Sequence, residues 1–138
     1  MKLLGRTLVV AAAAAPVLLT AAPGHATTWP ARHLDDRDNH GTVSVHVGQT
    51  VVLTLASTYW TIGAPSGTAL GALGPERKTP DYTRPGCHGG TGCGTDVRDF
   101  KAVRTGTSGI SATRTSCGEA LRCSDAQSRF FVTVRVIP

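Results

Sequence analysis

From Thr42 onward the chain alternates. TVSVHV sets Val43, Val45 and Val47 on one face and Ser44 and His46 on the other; after a Gly48-Gln49 turn, VVLTLA repeats the pattern with Val51, Leu53 and Leu55. Successive side chains of a strand point to opposite faces, so a period of two predicts half-buried strands. VRDFKAVR predicts a strand with Phe100 and Ala102 inward. GTSGISATRT, after a turn at Gly106, alternates Ile110 and Ala112 against Ser111 and Thr113. The chain closes on RFFVTVRVIP, with Phe130, Val132, Val134 and Val136 on one face and Thr133 and Arg135 on the other.

Between these runs, residues 57–95 are rich in glycine and carry Pro65, Pro75, Pro80 and Pro85, the composition of loops and turns. Tyr59, Trp60 and Ile62 predict a third strand, and Thr68 to Leu73 has room for another. No helical period of useful length follows the N-terminal region, since GEALR is too short to hold a helix alone. Short strands joined by Gly and Pro turns predict an all-β fold: an immunoglobulin-like antiparallel β-sandwich over residues 42–138. Residues 27–41, TTWPARHLDDRDNHG, read as a polar leader into that domain, with Trp29 partly exposed or docked on an edge. Asp36, Asp38 and Gly41 open like a calcium loop, but Val47 stands where the closing Glu belongs, so a solvated turn is expected.

The N-terminus changes the compartment. Lys2 and Arg6 precede an uncharged apolar run from Thr7 to Ala22, and the small residues Gly24 and Ala26 mark a cleavage site after Ala26. Residues 1–26 therefore read as a secretory signal peptide, shorter in its apolar core than the roughly 20 residues of a membrane span. Cleavage of the 138-residue chain leaves 112 residues, enough for one domain with a single core and without a membrane span. Two of the 14 Lys and Arg go with the signal peptide, so against nine Asp and Glu the mature net charge is +3. The cations are dispersed rather than arrayed as a stripe, which argues against nucleic-acid binding.

Export also decides how to read the four cysteines. CHGGTGC and CGEALRC space Cys87 from Cys93 and Cys117 from Cys123 by five residues. Zinc knuckles need two to four intervening residues and redox motifs need two, whereas an oxidising exterior favours disulfides. Gly89, Gly90 and Gly92 make a local loop easy to close. This favours Cys87 with Cys93 and Cys117 with Cys123; the rival pairing joins the two loops to each other.

The order VGQTVVLTL, a Trp, GGTGCGTDVRDFKA, GTSGISATR and FFVTVRV resembles the chagasin family of exported inhibitors of papain-like cysteine proteases, over Val43 to Val136. Val47-Gly48-Gln49, Gly89-Gly90 and Phe100-Lys101-Ala102 carry the likeness, with Arg98 where that family has an aromatic residue. The family's Asn-Pro-x-Thr-Gly-Tyr-x-Trp loop is shortened here to Ala56-Ser57-Thr58-Tyr59 before Trp60. Its Arg-Pro-Trp segment is Arg114-Thr115-Ser116, so Trp60 and Arg114 alone carry over. Gly106 to Ala112 with the closing Val-x-Val strand is also similar to bacterial immunoglobulin-like domains of surface proteins. The excess of Arg over Lys, with abundant Ala, Gly and Thr, suggests a GC-rich bacterial genome, and the sequence is similar in style to small actinobacterial secreted proteins.

Both resemblances imply that the loop at Tyr59 and the two cysteine loops lie at one end of the sandwich. That end is the expected recognition surface, with Tyr59, Arg114, Glu119 and Arg122 as contacts and Trp60 either beside them or filling the core. No hydrolase elbow, zinc-protease helix, P-loop or dinucleotide fingerprint occurs, so neither an enzyme nor a cofactor or metal is expected. His33, His40, His46 and His88 are expected on the surface. Three roles follow: a non-enzymatic binding domain for a protein or cell-envelope partner, a divergent inhibitor of papain-like proteases, and an envelope-associated structural module.

Overall fold

A computed structural model describes Gly24 and residues 27–138; the expected signal peptide otherwise lies outside the described residues. The strands, in chain order, are β1 (Arg32–Leu34), β2 (Thr42–His46), β3 (Thr50–Ala56), β4 (Thr61–Ile62), β5 (Ser66–Gly67), β6 (Leu70–Ala72), β7 (Arg77–Pro80), β8 (Gly94–Ala102), β9 (Gly106–Thr113), β10 (Ser116–Gly118), β11 (Leu121–Arg122) and β12 (Arg129–Ile137). One sheet has the order β1-β3-β8-β6, with β7 also pairing β8; the other has the order β2-β12-β9-β4, with β5 also pairing β9. The sandwich is antiparallel except at two edges, where β1 lies parallel to β3 and β2 parallel to β12. Among the described residues no helix is long and apolar enough to cross a membrane.

The alternating residues meet between the sheets. Val51, Leu53 and Leu55 of β3 and Phe100 of β8 face Ile110 of β9 and Val132 and Val134 of β12, all fully buried. Each such side chain contributes about 1.5–3 kcal/mol relative to exposure, which is why β3, β8, β9 and β12 form where the period of two is strongest. Val47 departs from its predicted face: β2 ends at His46, and Val47 is 40% exposed in the following turn.

Residues 27–41 enter the sheet as well as lead into it. Leu34, their one large aliphatic side chain, is 2% exposed because β1 hydrogen-bonds along β3. Trp29 stacks on His46 with ring centroids 3.7 Å apart and planes 6° from parallel, and Gln49 Nε2 donates to the Pro30 carbonyl. The expected strand at Tyr59 to Ile62 shrinks to Thr61–Ile62, while Trp60 keeps its core position at 3% exposure. β7 is exposed along its whole length and therefore gives no hydrophobic signal; it forms because β8 offers it a free edge.

Candidate functional site

Register gathers three connections at one end of the sandwich. Ala56 at the end of β3 lies opposite Thr95, Pro80 at the end of β7 lies opposite Gly94, and Thr113 at the end of β9 lies opposite both Thr61 and Arg129. The connections 57–60, 81–93 and 114–128 consequently emerge together. Both disulfides are local, Cys87–Cys93 with Cα atoms 5.8 Å apart and Cys117–Cys123 with 5.0 Å, and the second closes a ribbon in which β10 and β11 pair only with each other.

Tyr59 binds the first connection to the second. Its hydroxyl donates to the Gly90 carbonyl and its ring lies against Gly92, while the Thr58 amide donates to the Gly92 carbonyl at 2.9 Å and the Ser57 amide to that of Gly94 at 2.8 Å. Gly92 has φ +72, a conformation that side-chain-bearing residues seldom adopt. Glu119 links the ribbon to the same loop, with Oε2 3.4 Å from His88 Nε2. Arg122 lies on β11 and is exposed.

Trp60 and Arg114 form the floor beneath these loops. The indole Nε1 donates to the Ala56 carbonyl at 3.2 Å, and the Arg114 guanidinium sits 4.3 Å from the centroid of a Trp60 ring. Arg114 also donates Nε to the Gln127 carbonyl at 2.9 Å, which ties β9 to the approach to β12. Trp60 is thus a buried support and not an exposed contact. Burial pushes the Arg114 guanidinium below its ordinary range, only partly offset by the charge of Asp36.

A charge cluster built on the buried Asp96 also supports Trp60. Lys78 Nζ donates to the Trp60 carbonyl and contacts Asp96 at 2.5 Å and Glu76 at 3.2 Å. Asp96, directly across from Lys78 in the ladder, is fully buried, and Glu76 Oε2 accepts the Ile62 amide at 2.6 Å. Burial raises Asp96 against the opposing pull of Lys78. For Lys78, burial alone would lower the pKa, but its hydrogen bonds to Asp96 and Glu76 outweigh it and raise the value. The inward Asp in GTDV was not anticipated from the sequence; the period of two, carried back from Phe100 through Arg98, points to it.

Two exposed apolar residues complete the loop end. Leu121, 60% exposed, sits at the start of β11 beyond Ala120, which has φ +56; Tyr82, 54% exposed, lies just after β7. The one large apolar side chain inside a disulfide-closed polar loop is the available signal for Leu121. No group of three or more His, Cys, Asp or Glu able to hold a metal occurs among the described residues.

No family model matches the chain, and no curated protein does. Among solved structures, the chain is similar to amebosin, determined in solution, with a TM-score of 0.55 and 18% identity over 79% of this chain and 100% of that one. It is also similar to the cysteine protease inhibitor EhICP2 from Entamoeba histolytica, with a TM-score of 0.53 and 10% identity over 78% of this chain and 96% of that one. At such low identities the likeness is one of fold alone, an immunoglobulin-like β-sandwich.

Proposed function

We propose that the protein is an exported, non-enzymatic binding domain that recognises a protein partner with its disulfide-bridged loop end, and that the partner is a papain-like cysteine protease. The observation that carries this reading is the meeting of three connections at one end, cross-linked by Tyr59 with Gly90 and by His88 with Glu119. Loops fixed before binding lose less conformational entropy on binding. The chagasin-like fold and the named inhibitor among the similar structures favour a protease as partner.

The division of labour differs from the one the family resemblance implies. The 57–60 connection is folded down onto Gly92, so it cannot act as a protruding wedge. The ribbon tip takes its place, with Glu119 and Arg122 as polar contacts around Leu121 and with Tyr82 as a second apolar contact. Tyr and Arg side chains that become buried at the centre of an interface, ringed by contacts that exclude water, often carry much of the binding energy. That suits Tyr82, and Arg122 next to Leu121.

Papain titrated with the oxidised mature chain tests the reading. Inhibition with a constant below about 1 μM is expected. An absence of inhibition at roughly tens of micromolar removes the protease and leaves a binding domain for another protein or envelope partner.

A further inference from the structure

Arg114 is a partly desolvated cation that makes no ion pair among the described residues. Its guanidinium rests on Trp60, and Nε is satisfied by the Gln127 carbonyl, but neither contact neutralises its charge. Asp36 acts on it through its charge without an ion-pair contact, and its Oδ2 accepts the Ala56 amide at 2.9 Å. Charges withdrawn from water are ordinarily matched by an opposite charge. The missing match has a place to sit.

Arg114 lines a cleft of about 210 Å³ between Ser57, Thr91 and Cys117, and Arg84 is the second cation on its wall. Among the described residues no carboxylate lines it; Asp81, 3.9 Å from Arg84, faces the neighbouring cleft. Ser57 has φ +118, an unusual conformation for a residue with a side chain, and such conformations gather at binding sites. Its Oγ accepts the Tyr59 amide at 3.1 Å and keeps its own proton to donate.

We propose that this cleft is an oxyanion site that receives one carboxylate or phosphate group, held by the guanidiniums of Arg84 and Arg114 with the Ser57 hydroxyl as a third donor. The guanidinium fork matches both groups. Small-molecule pockets usually span about 300–1,000 Å³, so the smaller cleft suits a single charged group projecting from a larger partner. The inference is independent of the protease reading, because any partner presenting such a group satisfies it.

The test is a nuclear magnetic resonance titration of the oxidised protein with sodium acetate and, separately, sodium phosphate, against sodium chloride at matched ionic strength. The expected result is saturable shifts at the Ser57, Thr91 and Gly92 amides and at Arg114 Nε, with Kd on the order of millimolar. Arg84→Gln, at an exposed position, should weaken binding by about fivefold or more, as should Ser57→Gly, while the amides of β12 stay in place. Comparable affinities for the two anions assign the site to a carboxylate, and phosphate binding about tenfold or more tighter assigns it to a phosphorylated group. Shifts no larger than those with chloride, or affinities unchanged in both variants, overturn the proposal. No protease enters the experiment, so its failure and that of the protease reading are separable.

Discussion

Tyr59 and Gly92 are fitted to each other: the tyrosine ring occupies the space where any side chain at position 92 would begin, and the tyrosine hydroxyl is anchored one step away on Gly90. Gly92→Ala would place a methyl group in the ring and force φ +72 on a residue that disfavours it. We expect a loss of about 2 kcal/mol, from the positive φ and the overpacking together. Urea unfolding measures it, and the Tyr59 ring resonances should report release from the loop. Wild-type stability with an unmoved ring would show that the contact is dispensable.

The Lys78 cluster gives stability an alkaline limit. The folded-state pKa of Lys78 is raised above the ordinary 10.5, so its stabilising contribution is complete below pH 10.5 and is lost as pH rises through the raised value. Lys78→Met should remove that alkaline slope. At neutral pH it should also cost about 2 kcal/mol, because the buried Asp96 loses the cation that favours its charged form. Adding Asp96→Leu should recover most of the loss. Thermal unfolding of the three proteins between pH 7 and roughly pH 12 checks both effects; an alkaline slope that survives in Lys78→Met would assign it to other groups.

What could be read along the chain follows from how local each determinant is. β3 and β12 announce themselves because each carries three or four apolar side chains at a spacing of two, all buried on one face. β1 offers only Leu34 and β7 offers nothing apolar, and both exist because β3 and β8 present edges to pair with. The local disulfides were legible because each closes within seven residues. The floor of the loop end was not: Arg114 meets Trp60 across the sandwich end, and Tyr59 meets Gly90 at a separation of 31 residues, through register that no single segment encodes. Trp60 illustrates the limit, since its residue type fits both a core and an interface and only its 3% exposure decides for the core.

The ribbon closed by Cys117 and Cys123 should behave as a separable unit. β10 and β11 pair with each other and with neither large sheet, and the Cys123 amide donates to the Thr115 carbonyl at 2.9 Å within the same connection. Closing a seven-residue loop contributes about 2 kcal/mol in the loop-entropy model, but that constraint acts mainly on the ribbon itself. Cys117→Ala/Cys123→Ala is therefore expected to accelerate hydrogen exchange at the Cys123 position by about tenfold or more, while Val132 and Val134 retain their protection. On the proposed function, the same variant should bind its protease more weakly, because Leu121 must be ordered at the moment of contact. Exchange that rises equally in the ribbon and in β12 would show instead that the disulfide holds the whole sandwich together.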